Sequence, residues 1–220
     1  MMDSKPLVAL DFDGTLVDCK AKQIYALRCA LDRHKVSFDA VEAFWNAKRS
    51  GAPTIAALQQ HGLTPADAAA VSVTWIDLVE TPRACEQDKL FPGVLDALDD
   101  LAPHARLMVL SARRDPKILE NQLRELGLAA YLSAWETVSP GKGAAAAKAA
   151  RLGTLGARFF VGDTESDLAA SSAAKVPFYL LSTGQRNADF FRTREDFSNF
   201  HPIYDSFRDV VKELKHELLR

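Results

Sequence analysis

Pro6-Leu7-Val8-Ala9-Leu10-Asp11-Phe12-Asp13-Gly14-Thr15 is a short apolar run that ends in two carboxylates. Leu7 to Leu10 predict a buried strand, and burial gives no reason for acids to follow at once. In an extended segment residues i and i+2 face the same way. Asp11 and Asp13 therefore point together into one site while Phe12 packs on the opposite side. Gly14 then lets the chain turn immediately and leaves its backbone open to a ligand.

Four further runs carry strand character: Arg106 to Ser111, Trp135 to Ser139, Arg158 to Asp163 and Phe178 to Ser182. Helical patterns lie between them. Val94, Leu95, Leu98 and Leu101 have helical spacing, as do Ile118, Leu119, Leu123 and Leu126 with Gly127 as the stop. Ala144 to Leu152, ended by Gly153, is rich in the strongest helix former. Ile203, Phe207, Val210, Val211, Leu214 and Leu218 form the apolar stripe of a closing helix. This alternation predicts an α/β fold, a mostly parallel sheet with helices on both faces. Ligands bind outside the carboxyl ends of such strands, where Asp11, Ser111 and Asp163 would sit.

Residues 20–88 break the alternation. They carry only helical apolar spacing, interrupted at Gly51-Ala52-Pro53 and Gly62-Leu63-Thr64-Pro65, and read as an all-helical insertion. The division expected is a core of residues 1–19 and 89–220 with an inserted domain over 20–88. A helical lid beside a carboxylate-bearing loop suits chemistry that must exclude water.

At 220 residues and 48% hydrophobic, the chain can bury a substantial core. Lys plus Arg number 27 against 29 Asp plus Glu, and the basic residues are scattered, which argues against nucleic acid or an anionic membrane as partner. Three dispersed cysteines fit reduced thiols better than a disulfide framework or a zinc site. The acids Asp3 and Asp11 flank too short an apolar run for a signal peptide or a membrane span. A cytoplasmic location is the resulting expectation.

Four elements stand in order: Asp11-Phe12-Asp13-Gly14-Thr15, Ser111-Ala112-Arg113, Lys142, and Gly162-Asp163-Thr164-Glu165-Ser166-Asp167. On these the chain resembles the haloacid dehalogenase superfamily of phosphohydrolases. The first and last elements match its signatures residue for residue. Ser111 matches the small hydroxyl residue of the second motif, and Lys142 the lysine of the third. The resemblance implies a Rossmann-like parallel-sheet core with an inserted all-helical C1 cap, as in the phosphoglycolate phosphatase and β-phosphoglucomutase branch. Leu90-Phe91-Pro92-Gly93-Val94 resembles that branch's return segment from cap to core.

It also implies roles. Asp11 attacks the phosphorus of a phosphate monoester to give an aspartyl phosphate. Asp13, with its pKa raised, donates a proton to the leaving oxygen and then takes one from water. Asp11, Asp163, Asp167 and the backbone carbonyl of Asp13 serve a Mg²⁺ ion, whose preference for oxygen ligands suits them, Asp167 by orienting a water on the metal. Lys142 offsets charge, and Ser111 with the amides of Ala112 and Arg113 holds phosphoryl oxygens. Dehalogenases of the superfamily lack an acid two residues after the nucleophile, so Asp13 favours phosphate esters. The partner implied is a small soluble phosphate ester, with no protein partner.

The match departs from the family in two places. Lys142 precedes Gly143, where the branch often has proline, and Lys148 is a rival; Lys142 is preferred because it lies in a turn, whereas Lys148 falls inside a helix. Arg113 begins an unusual basic pair, either an anion contact or a solvated arginine. In the cap, Lys48 and Arg49 are candidates for binding a second anionic or polar group of the substrate, against a solvated helix end whose cations complement the dipole; Lys20 and Lys22 are the fallback. Two other functions share these residues in whole or part. A phosphomutase would pass the phosphoryl group to a second hydroxyl, and a non-catalytic phospho-acceptor would need neither Asp13 nor a cap.

Overall fold

The computed structural model describes residues 5–194 and 202–220, so Asp3 lies outside the described residues. The chain opens with β1 (Leu7–Leu10) and β2 (Val17–Asp18). Five helices follow without a strand: α1 (Lys20–His34), α2 (Val41–Arg49), α3 (Thr54–Gln60), α4 (Pro65–Leu78) and α5 (Pro82–Cys85). After β3 (Lys89–Leu90) come α6 (Val94–Leu101), β4 (Arg106–Ala112), α7 (Pro116–Glu125), β5 (Leu132–Val138), α8 (Ala144–Leu155), β6 (Ala157–Gly162) and α9 (Glu165–Ala174). The chain closes with β7 (Phe178–Leu181), α10 (Ala188–Arg192), β8 (Ile203–Tyr204) and α11 (Phe207–Leu218).

Among the described residues six strands form one parallel sheet in the order β5-β4-β1-β6-β7-β8. β1 is central, flanked by β4 and β6, which is why its four residues are all buried and uniformly apolar. The pleat sends alternate residues to opposite layers. Val8, Leu10 and Phe12 join a core with residues of α6, α7 and α11, while Leu7 and Ala9 join a second core with residues of α8 and α9. Asp11 has the parity of Leu7 and Ala9, so it exits the sheet on the α8 side. The chain passes from β5 to β6 across β1, making the carboxyl end of β1 the topological switch point where such sheets bind ligands.

β2 and β3 pair antiparallel, Val17 opposite Leu90 and Asp18 opposite Lys89. This two-stranded ribbon is the stem through which the helical insertion leaves the core and returns. The insertion has its own apolar cluster, in which Leu27, Leu31, Phe44, Leu58, Val71 and Trp75 pack together. Phe44 meets Trp75 edge-on at 6.4 Å. Among the described residues no helix is long and apolar enough to cross a membrane.

Three elements differ from the sequence-based expectation. Ile203 is not on the closing helix but in β8, where it pairs with Leu180. β5 begins at Leu132 rather than Trp135 because, as an edge strand, it needs no unbroken apolar run; Ser133 there donates to the Leu107 carbonyl at 2.9 Å. α8 runs through Gly153 to a left-handed cap at Gly156, φ 64°.

Candidate active site

The loops after β1, β4 and β6 are neighbours at one sheet edge, and they open into a cleft of about 490 Å³. Its core-side lining includes Asp11, Asp13, Ser111, Ala112, Arg113 and Lys148, and its insertion-side lining Lys22, Gln23, Trp75, Val79 and Glu80. Residues 12–17 form a tight turn in which the amides of Thr15, Leu16 and Val17 all approach the Phe12 carbonyl. The Asp11 amide donates to Val161 of β6 at 2.8 Å, tying the end of β1 to its neighbour.

Gly14 has φ +83°, and a side chain there would meet the Asp163 carboxylate at 2.1 Å and the Cα of Gly184 at 2.8 Å. Both backbone and space therefore demand glycine. Gly14→Ala is expected to cost about 2 kcal/mol or more through strain and displacement of Asp163, read as a lower denaturation midpoint.

Asp163 and Asp167 are held by the start of α9. Thr164 is its N-cap and Asp167 completes a capping box, its Oδ2 accepting from the Thr164 amide at 3.2 Å and the Thr164 hydroxyl at 2.6 Å. Gly162 lets the helix come this close, since a Cβ there would lie 2.7 Å from that of Asp167. Asp163 accepts from the Gln185 amide at 2.5 Å and from the Thr15 hydroxyl at 3.4 Å.

Carboxylate oxygens of Asp11, Asp163 and Asp167 lie within 4.8 Å of one another, and all three residues are buried. Among the described residues one cation pairs with two of these acids. Lys148 Nζ donates to Asp11 Oδ1 at 2.8 Å and to Asp167 Oδ1 at 2.6 Å. Burial pushes Asp11 up to about 7, against the pull of Lys148 and with the push of Asp167. Burial likewise raises Asp163 well above the carboxylate range, with Asp11 and Asp167 adding to the effect. Three buried acids against one lysine, with oxygen as the only donor type, fit a hard divalent cation such as Mg²⁺.

The lysine is a correction. Lys142 lies exposed in the turn before α8, and Lys148, one and a half turns on, reaches Asp11. Ala144, Lys148 and Leu152 are the buried stripe of α8, spaced by four, and that stripe faces the layer into which β1 projects Asp11. The spacing was legible in the sequence.

Asp13 also differs from expectation. Burial alone would raise its pKa, but Arg113 and Lys22 outweigh burial and hold it well below the usual carboxylate range. Arg113 grips it with both prongs, Nε to Oδ2 at 2.6 Å and Nη2 to Oδ1 at 2.7 Å, and Lys22 Nζ donates to Oδ1. Arg113 is thus neither solvated nor free for an anion: it is buried, stacked 5.3 Å from the Phe12 ring and bonded to Gln122. Lys22 pairs also with buried Asp88 at 2.7 Å, so this network spans the stem of the insertion.

Ser111 and Ala112 line the cleft. Lys48 and Arg49 do not figure in its lining. Lys48 sits over the Trp75 ring at 5.4 Å and donates to Thr54, and Arg49 donates to backbone carbonyls of the core at Ser182 and Gly184. Lys20 pairs with Glu42 at the surface, whereas Lys22 reaches the cleft. Trp75, Glu80 and Arg186 line it without having been singled out; their helical spacing or loop setting gave no signal that separated them from core and surface residues.

A family model described as haloacid dehalogenase-like hydrolase matches residues 5–175. The chain belongs to the haloacid dehalogenase-like hydrolases. Among curated proteins no sequence matches. Solved structures share the fold at low identity. A haloacid dehalogenase-like family hydrolase from Streptococcus pneumoniae aligns with TM-score 0.74 and 16% identity, over 97% of this chain and 100% of that one. A predicted phosphatase from Clostridium acetobutylicum gives TM-score 0.72 and 17% identity over 96% and 99%. A predicted phosphoglycolate phosphatase from Haemophilus somnus 129pt gives 0.68 and 20% over 97% and 100%. This haloacid dehalogenase-like hydrolase therefore shares its fold with those proteins over nearly its whole length.

The raised acids predict how the metal-free protein responds to pH. Asp11 and Asp163 hold protons in the folded state that they lose when unfolded, so their contribution to stability is present at low pH and is lost as pH rises from about 4 through about 7. In chelator, the melting temperature is expected to fall between about pH 6 and about pH 8. Melting curves at both pH values check this; a melting temperature that does not fall would contradict it.

Proposed function

We propose that this hydrolase is a Mg²⁺-dependent phosphatase that acts on a small soluble phosphate monoester through an aspartyl phosphate. The observation that carries the reading is the buried triad Asp11, Asp163 and Asp167, two of whose acids pair with Lys148, with Asp11 and Lys148 lining the cleft. Residues 1–19 and 89–220 would form the catalytic core and 20–88 the cap that covers it. Three free cysteines suit a reducing compartment such as the cytoplasm.

The metal, held by Asp11 and Asp163 with Asp167 nearby, would neutralise charge on the phosphoryl oxygens. Asp11 attacks phosphorus in line with the ester oxygen. Lys148 keeps the Asp11 carboxylate oriented and offsets charge as the phosphoryl group arrives. Ser111 and the following amides receive phosphoryl oxygens at the neighbouring strand end. Asp13 acts on protons. Its ionised state under Arg113 and Lys22 suits it to take a proton from water in the second half-reaction. Donation in the first half-reaction requires Asp13 to leave the Arg113 fork, take up a proton from solvent and pass it to the leaving oxygen as the P–O bond to the ester breaks. Glu80 and Trp75 from the cap close the other side of the cleft and exclude bulk water.

A panel of phosphorylated metabolites, with free phosphate measured with and without Mg²⁺, tests the reading. Release that depends on Mg²⁺ and on Asp11 is the expected outcome; a panel with no hydrolysis of any ester, 4-nitrophenyl phosphate included, would count against it.

A further inference from the structure

We infer that Arg49, on the helical insertion, is a positioning residue for the metal ligand Asp163, acting through the 182–187 loop rather than on substrate. This rests on the metal-site reading above. Arg49 lies at the last turn of α2, in the insertion, yet both ends of its guanidinium are bound to core carbonyls: Nε donates to Gly184 at 2.9 Å and Nη2 to Ser182. The next amide along that loop, Gln185, is the one that donates to Asp163 Oδ2. The loop has no slack between these two attachments. A Cβ on Gly184 would lie 2.1 Å from Asp163 Oδ2 and 2.4 Å from the Cα of Gly14, so the backbone is pressed against the acid and the nucleophile-bearing turn at once.

Further contacts join the end of α2 to the loop, which Thr183 and Arg186 also tie to the core at Gly14 and Glu165. The Asn187 amide donates to the Arg49 carbonyl at 3.0 Å, Asn187 Nδ2 to Ser50 at 3.0 Å, and Arg186 Nη1 to the Lys48 carbonyl at 3.2 Å. The end of α2 and the loop are thus joined at several points. With the loop held in this way, the Gln185 amide is presented to Asp163 Oδ2 and fixes the direction of its carboxylate. Without Arg49 the loop loses the fork that fixes two of its carbonyls. Lysine cannot reproduce this contact, because a single ammonium lacks the planar fork that spans two carbonyls.

The test uses Mg²⁺ itself as the probe, with no ester present. Calorimetric titration of the unsubstituted protein, Arg49→Ala, Arg49→Lys and Asp163→Asn compares their affinities, and melting in chelator checks that each variant folds. Mg²⁺ affinity is expected to fall about tenfold in both Arg49 variants, as for loss of an outer-shell partner. Turnover of 4-nitrophenyl phosphate by Arg49→Lys at limiting Mg²⁺ is expected to fall and to be restored by excess Mg²⁺, which a merely structural defect would not allow. Unchanged Mg²⁺ affinity in folded Arg49 variants would overturn the inference while leaving the metal site intact. Equal affinity in the unsubstituted protein and Asp163→Asn would overturn the metal-site reading, and the inference with it.

Discussion

Lys148→Met is expected to lower kcat by on the order of 10² to 10³-fold, the loss typical of one preorganised charge removed from a reacting group. The same change should destabilise the fold. Lys148 is about 3% exposed and pairs with two buried acids, so its removal leaves both without a cation, a defect that costs about 3 to 5 kcal/mol where a buried pair is broken. Methionine keeps the length of the stem that packs between α8 and the sheet, so the loss reports charge rather than volume. Lys142→Met makes the contrast: its side chain is exposed in the turn before α8, and stability is expected within about 0.5 kcal/mol of the unsubstituted protein. Steady-state kinetics and melting of the two variants side by side decide between the lysines. A dead Lys142→Met beside an active Lys148→Met would reverse the assignment.

Asp11→Asn should separate activity from stability in the opposite way. Asparagine has the shape of aspartate but cannot form the acyl phosphate, so turnover is expected to fall on the order of 10⁴-fold or more. Stability of the metal-free protein should not fall with it. Burial already pushes the Asp11 pKa up to about 7, so above that pH a neutral residue avoids the cost of a buried charge beside Asp163 and Asp167. The expected pattern is an inactive protein that melts at or above the parent temperature near pH 8 in chelator. Retained turnover in a folded Asp11→Asn would show that another residue carries the attack.

Much of this was legible in the sequence because the constraints were local. The run from Leu7 to Leu10 is central in the sheet and buried on both faces, so it had to be apolar throughout, and the acids that follow could only be explained by chemistry. Asp163 and Asp167 were marked by a strand end joined to a capping box, again a local pattern. What the sequence hid were contacts across long separations. Arg113 reads as one of two surface-like arginines until Asp13 is found in its grip, 100 residues away in the chain. Arg49 reads as a cation at a helix end until the carbonyls of Ser182 and Gly184 occupy it. Lys148 is an intermediate case: its four-residue spacing from Ala144 and Leu152 puts it on the buried stripe, but a turn-borne Lys142 offered a simpler match.

The proton state of Asp13 follows the same lesson. From type and position alone it should hold a proton, yet two cations, one from the core and one from the insertion, make it a carboxylate. Its partner Lys22 also binds Asp88 beside the β2–β3 stem, so the charge on Asp13 is linked to where the insertion sits.

The central claim is that Asp11 takes the phosphoryl group. The most direct measurement is to quench the protein in acid during turnover of a phosphate ester with Mg²⁺, digest it, and locate any added phosphoryl mass by spectrometry. The account predicts that mass on the peptide carrying Asp11, and its loss in Asp11→Asn. A phosphoryl group on a different peptide, with turnover intact, would contradict it.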